Sequence, residues 1–206
     1  MAKGTLNPIA IFIAITILTS TVGATSTADD IIQSVENFYK NLNKDKLVLT
    51  KLKYYIHANF GVGPTQTVFE VARSNITGPS TNNFGRILII DNKLTVGPDV
   101  NSQKVGQYQG MNAYSDFNQA SANMNMNIIY TDGEYKGSTI SILGRQPVSE
   151  KIRVLSIIGG TGLFRFARGT VLASTYSSDP ATNVGVYVYD IYVVTPSVEK
   201  SRKAES

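Results

Sequence analysis

The chain of 206 residues contains no cysteine, no tryptophan and one histidine. Without cysteine there are no disulfides, zinc–thiolate sites, iron–sulfur clusters or thiol nucleophile. A lone histidine, His57, excludes every site that needs two imidazoles, the His-Glu-x-x-His zinc helix among them. Charge is sparse: 17% of residues are charged, and the formal net charge is +4. The tightest basic group, Lys44, Lys46, Lys51 and Lys53, is interrupted by Leu and Val. A nucleic-acid footprint needs a clustered basic patch with aromatic interleaving, so no nucleic-acid partner is expected. Weak attraction to an acidic polysaccharide is compatible with this balance. Hydrophobic residues make up 42% of the chain, enough to bury a core, and the length fits one domain.

Long apolar runs are missing too, with one exception. Pro8–Leu18 is apolar apart from Thr16, follows Lys3, and leads to the small residues Val22-Gly23-Ala24. A positive start, a short apolar stretch and a small-residue exit read as a secretory signal peptide over residues 1–24. The alternative is a membrane anchor, which needs about 20 apolar residues. Polar Thr19-Ser20-Thr21 ends this run well before that, and no later segment is apolar enough to span. The expected location is extracellular, with no membrane partner. Small secreted domains commonly depend on disulfides, so a cysteine-free one calls for a fold closed by hydrogen bonding around a large core. The sequon Asn75-Ile76-Thr77, flanked by Ser74, Gly78 and Pro79, predicts a surface loop with Asn75 as a glycosylation site.

Residues 25–46 read as a helix and linker. Ile31, Ile32, Val35, Phe38, Tyr39 and Leu42 recur at helical spacing over 28–42, and Asp29 and Asp30 near the start suit the helix dipole. This short helix either packs on the domain or lies loosely outside it. From Leu47 the period becomes two. Met124, Met126, Ile128 and Tyr130 alternate with Asn125, Asn127 and Ile129; Val184, Val186 and Val188 alternate with Gly185, Tyr187 and Tyr189. Strands are predicted over 47–58, 66–73, 84–91, 103–115, 122–131, 135–144, 151–158, 166–176 and 184–195. Turn clusters separate them, and Asp132-Gly133 is the clearest hairpin signal. Eight or nine regularly spaced strands without intervening helices predict an all-β antiparallel sandwich or barrel over 47–196. A closed barrel has no exposed edges and encloses a cavity for a small apolar ligand. The polar stretch 197–206 reads as a disordered tail.

Familiar catalytic signatures fail. Gly159-Gly160-Thr161-Gly162 has Arg165 where a dinucleotide fingerprint needs its third glycine, and a strand pattern follows instead of a helix. The run reads as a tight glycine turn between two strands. No Gly-x-Ser-x-Gly elbow is present. His57 is a candidate general base, but no acid partner is fixed by the local sequence, and a hydrogen-bonded strand histidine is the simpler reading.

Several ordered motifs do hold together. Gly159-Gly-Thr-Gly-Leu-Phe-Arg-Phe-Ala-Arg-Gly169 resembles the glycine-rich signature of plant dirigent proteins. Tyr135-Lys-Gly-Ser-Thr-Ile-Ser-Ile-Leu-Gly144 resembles their Tyr-x-Gly-Ser-Thr strand. Tyr54-Tyr55-Ile56-His57, Phe84-Gly85, Asp91, Leu94-Thr95, Val105-Gly106 and Gln109-Gly110 fall in the family's order, so the resemblance covers about 47–195. It implies an eight-stranded antiparallel, calycin-like β-barrel after a cleaved signal peptide, usually a homotrimer, in the apoplast. It further implies phenolic ligands, no cofactor, and a role in lignan biosynthesis and plant defence. Dirigent proteins steer the coupling of phenoxy radicals, such as those from coniferyl alcohol, while a separate laccase or peroxidase makes the radicals. Their contribution is positioning. A second branch dehydrates isoflavonoid alcohols, which requires a proton donor. Other readings are a non-catalytic binding barrel for glycans or an apolar metabolite, and the related allene oxide cyclase barrel.

The resemblance also points to pocket positions, several of them altered. Ala58 stands where the family carries an Asp after the strand histidine; Asn112 stands for a pocket Tyr and Gln146 for a second pocket Asp. The Arg of that loop is retained as Arg153. Ala58, Asn112, Gln146 and Arg153 are therefore the candidate substrate-binding residues, with His57 and Arg153 as candidates for chemistry. Asn and Gln hydrogen-bond a phenol but do not ionise near neutral pH, whereas Arg153 can orient an oxygen or stabilise developing negative charge.

Overall fold

A computed structural model describes residues 27–41 and 47–196; the expected signal peptide and the expected disordered tail lie outside the described residues. Helix α1 (Ala28–Asn41) precedes nine strands, close to those predicted: β1 (Leu47–Asn59), β2 (Val68–Arg73), β3 (Arg86–Thr95), β4 (Lys104–Tyr114), β5 (Ser121–Tyr130), β6 (Thr139–Pro147), β7 (Arg153–Thr161), β8 (Arg168–Asp179) and β9 (Val184–Pro196).

The helix starts where local chemistry permits. Thr27 and Asp30 form a reciprocal cap: the Asp30 N–H donates to Thr27 Oγ1 at 3.2 Å, and Asp30 Oδ2 accepts from the Thr27 N–H at 2.8 Å. Ile31 and Ile32 then pack against Leu172, Tyr192 and Val194 on the outer face of β8 and β9. The helix thus docks on the barrel, and its apolar side covers strand surface that would otherwise face water.

The strands pair antiparallel in the order β1-β9-β8-β7-β6-β5-β4-β3-β2, and β1 also pairs with β3 at Tyr55–Thr95, Ile56–Leu94 and His57–Lys93. That pairing closes the sheet. Further along, β3 pairs with β2 from Val68–Ile90 to Arg73–Arg86, so β1 and β2 form one stave interrupted by residues 60–67. The result is an eight-staved antiparallel barrel, in which closure removes the exposed edges that an open sheet would leave.

Two turns differ from expectation. The β5–β6 hairpin exists, but its loop runs from 131 to 138 and β6 begins at Thr139, not near 135. Asp132-Gly133 is one bend within that loop; Gly137 makes a second positive-φ bend, and its N–H donates to the Tyr130 carbonyl at 2.9 Å. The glycine run is not itself the β7–β8 turn. Gly159 and Gly160 lie inside β7, and only Gly162, at φ 60°, starts the 3-10 turn Gly162–Phe164. Gly160 is required by close approach: a Cβ there would sit 2.4 Å from the Thr139 carbonyl oxygen and 2.7 Å from that of Phe164. This lets Phe164 turn inward, where it is buried against Tyr130 and Tyr135 with ring centroids 5.5 and 5.0 Å away. With Tyr54, 5.9 Å from Tyr130, these rings fill one end of the barrel. Met126, Ile128, Ile140, Ile142, Leu155 and Ile157 fill the middle.

Candidate functional site

The other end is open inside. Where β1, β4, β6 and β8 finish and β3, β5, β7 and β9 begin, the interior side chains leave a cavity of about 300 Å³. That is at the small end of ligand sites, which run from roughly 300 to 1,000 Å³. Ile56, Val68, Leu88, Ile90 and Met124 form an apolar wall, and Tyr108, Tyr114, Tyr187 and Tyr189 supply aromatic surface. Strand alternation sets this composition. On β4 the inward phase carries Tyr108, Asn112 and Tyr114, while on β9 it carries Tyr187 and Tyr189 ahead of Ile191 and Val193.

The cavity brings together all four residues expected to bind substrate. Ala58, Asn112, Gln146 and Arg153 each line it. Gln146 and Arg153 belong to adjacent antiparallel strands, and extending the register Leu143–Ser156 sets them opposite one another. Arg153 is only 3% exposed. One of its terminal nitrogens, Nη1, donates to the Glu150 carbonyl at 3.1 Å and to Thr175 Oγ1 at 3.3 Å. Nε and Nη2 are buried without a partner, as is Asn112 Oδ1. The guanidinium also lies over the Tyr187 ring, 5.9 Å from its centroid.

Among the described residues, no Asp, Glu or His lines the cavity. Its phenols are held neutral. Burial raises Tyr108, Tyr114, Tyr187 and Tyr189 above the ordinary tyrosine value, Tyr189 to about 12, and the positive charge of Arg153 opposes that rise at Tyr108, Tyr187 and Tyr189. The Tyr108 and Tyr189 hydroxyls share a hydrogen bond of 2.8 Å, with the rings edge to face. Asn92 Oδ1 is already occupied, accepting from Thr67 Oγ1 at 2.7 Å. The arrangement can therefore bind an oxygen-bearing aromatic, offering donors from Arg153 and the tyrosines and an acceptor from Asn112.

His57 does not belong to this site. It sits between Ile56 and Ala58 on β1, whose side chains face the cavity, so its own ring points to the outer face. There it is 8% exposed, and Nε2 lies 2.7 Å from Thr95 Oγ1, which also donates to the Gly97 carbonyl at 2.7 Å. The candidate base thus has no route to a ligand inside the barrel. Asn75 is exposed in the turn after β2, as the sequon reading expects, while the Thr77 hydroxyl is buried and donates to the Phe84 carbonyl at 2.7 Å. Among the described residues, no group of three or more His, Cys, Asp and Glu is placed to hold a metal ion.

The Dirigent-like protein family matches residues 49–194. The chain belongs to the dirigent family. Dirigent protein 21 of Arabidopsis thaliana is 39% identical over 155 residues, covering 75% of this chain and 80% of that protein. Pterocarpan synthase 1 of Glycyrrhiza echinata is also 39% identical, over 145 residues that cover 70% of this chain and 77% of the synthase. Among solved structures, a pterocarpan synthase dirigent protein aligns with a TM-score of 0.67 and 36% identity, covering 77% of this chain and 96% of its own. These two relatives, a dirigent protein and a pterocarpan synthase, thus share the same identity with this chain over the aligned residues. Among the described residues, this cavity holds one buried arginine and no carboxylate.

The tyrosines are what residue reading missed. Tyr108, Tyr187 and Tyr189 carry no motif of their own, but the phase of Tyr187 and Tyr189 with Ile191 and Val193 along β9 was a usable signal.

Proposed function

We propose that this dirigent protein imparts stereoselectivity to the coupling of phenylpropanoid phenoxy radicals, of the coniferyl alcohol type, without performing the oxidation. The observation that carries this reading is the cavity itself: aliphatic and tyrosine walls, one buried guanidinium and no ionisable acid or base near neutrality. Such a site is suited to orientation. A separate one-electron oxidase, a laccase or peroxidase, removes one electron and one proton from each phenol. The unpaired electrons of two radicals then pair in a new carbon–carbon bond. The protein's task is to present one face of a bound radical, held by Arg153 and Asn112 at its oxygens and by Tyr187 and Leu88 along its ring, to a second radical. In this reading the chain is secreted to the apoplast, is glycosylated at Asn75 and acts as a homo-oligomer, in lignan formation linked to plant defence.

The test is oxidation of coniferyl alcohol by a one-electron oxidant with and without the protein, followed by chiral chromatography of the lignan. An enantiomeric excess that rises with protein concentration is expected. A racemic product at every concentration would overturn the assignment.

The 39% identity to a pterocarpan synthase supports a second reading, dehydration of an isoflavonoid alcohol. With Ala58 and Gln146 at the positions where resemblance expects Asp, the proton would have to come from the Tyr108–Tyr189 pair. That reading requires product from an isoflavanol without oxidant, and Tyr189→Phe would abolish it.

A further inference from the structure

Resting on the reading that the cavity holds an oxygen-bearing aromatic, we propose that its preferred ligand is an anionic phenylpropanoid, a 4-hydroxycinnamate whose carboxylate pairs with Arg153.

Arg153 is a cation buried to 3% exposure, with two of its three guanidinium nitrogens, Nε and Nη2, lacking any partner. A buried charge is normally retained only when paired, because removing it from water is costly and an unpaired donor loses its hydrogen bonds as well. The interactions present fall short of that. They comprise a backbone carbonyl, a long hydroxyl contact and the face of one tyrosine. No carboxylate pairs with Arg153 among the described residues, and none lines the cavity. Gln146, directly across the strand pair from Arg153, is uncharged, and so is Ala58, another residue of the cavity wall. The cavity therefore carries one positive charge that no residue lining it neutralises. The ligand that completes it brings the missing anion. A carboxylate matches a guanidinium in a way a hydroxymethyl group cannot, since it accepts from two guanidinium nitrogens at once and carries the opposite charge.

The rest of the cavity limits what that anion is attached to. Leu88, Ile90, Ile56 and Met124 demand an apolar body, and the tyrosine faces favour an aromatic ring. Asn112 Oδ1, buried and without a donor, asks for a hydroxyl. A volume of about 300 Å³ admits one ring with a short side chain rather than a glycoside or polysaccharide. A phenol at one end and a carboxylate at the other satisfy all of these at once.

The test compares three compounds with the same substituted ring, by calorimetric titration at pH 7: ferulate, its methyl ester and coniferyl alcohol. Ferulate is expected to bind at least about tenfold more tightly than either neutral compound, the scale of a charge-assisted pair. Arg153→Gln removes the cation, and Gln146→Glu supplies an internal carboxylate. Each is expected to bring that preference below about threefold. Gln146→Glu is nearly isosteric and replaces a half-buried residue, so it serves even if Arg153→Gln fails to fold. Neutral compounds binding as tightly as ferulate, or a ferulate preference that survives in Gln146→Glu, would overturn the proposal. Coupling assays judge the other reading separately. Racemic dimers with the ferulate preference intact overturn radical steering alone. Enantioselective coupling of coniferyl alcohol with no ferulate preference overturns the ligand class alone.

Discussion

His57 Nε2 and Thr95 Oγ1 lie 2.7 Å apart on the outer face of the seam where β1 meets β3, one residue out of phase with the cavity-lining Ile56 and Ala58. The contact ties together the pairing that closes the barrel. His57→Ala is expected to leave the enantiomeric excess of the coupling product unchanged. It should lower unfolding stability by about 1–2 kcal/mol, since a buried hydrogen bond is lost. Chiral chromatography and denaturant unfolding of the same preparation check both halves.

The same residue sets a pH dependence. Burial lowers the His57 pKa below its ordinary value, the nearby Lys93 charge lowers it further, and Asp99 opposes them. The unfolded chain therefore binds a proton more readily than the folded one. The stability contribution is fully present above the unfolded value, about 6.5. It is lost as pH falls through that value toward the folded one. Thermal unfolding between pH 7.5 and 5 should show a steeper decline for the wild type than for His57→Gln. Parallel curves would exclude His57 as the titrating group.

The buried Tyr108–Tyr189 hydrogen bond predicts a cost without a charge change. Tyr108→Phe leaves the Tyr189 hydroxyl without its 2.8 Å partner in a fully buried position. A loss of about 1–3 kcal/mol is expected, the penalty for an unsatisfied buried polar group. The double variant Tyr108→Phe/Tyr189→Phe should recover part of it. Urea titration of the two single variants and the double variant gives the coupling directly.

Gly160→Ala tests the sealed end of the barrel. The added Cβ would lie 2.4 Å from the Thr139 carbonyl oxygen and 2.7 Å from that of Phe164, both backbone atoms. Either β6 or the turn carrying Phe164 must shift, which should destabilise by about 3 kcal/mol, the upper end for overpacking. Gly133→Ala meets no atom within 4 Å and bears only the strain of its φ of 75°, so it should cost less. Comparing their unfolding midpoints separates steric conflict from backbone strain.

Much of this was readable from the chain alone. The number and place of the nine strands follow from period-two alternation between turn clusters, since a strand's hydrophobic period is a local property. Asp132-Gly133 shows the limit of local reading. It announces a reversal, but loop length depends on how Gly137 and Ser138 rejoin Tyr130, a contact eight residues away. Four cavity residues were found through ordered motifs. The tyrosines are harder to read, because alternation says that two faces differ and only the phase with Ile191 and Val193 marks the tyrosine face of β9 as inward. Along β9 the valines at 184, 186 and 188 look like the buried set, yet Tyr187 and Tyr189 line the interior.

The lack of cysteine, the single histidine and the sparse charge already excluded metal–thiolate chemistry and paired imidazoles, because composition limits which groups can ever meet. The strand pattern likewise determined an antiparallel all-β domain. Only tertiary structure decided which groups do meet. Closing β1 onto β3 turned His57 outward, since side chains on a strand alternate and its neighbours are committed to the cavity. Packing β7 beside β6 placed Arg153 across from Gln146, with no carboxylate among the described residues paired to it, leaving a buried cation whose Nε and Nη2 have no hydrogen-bond partner. The rest of the cavity around that cation comes from β1, β4 and β9, strands far apart in sequence, and no local pattern encodes their meeting.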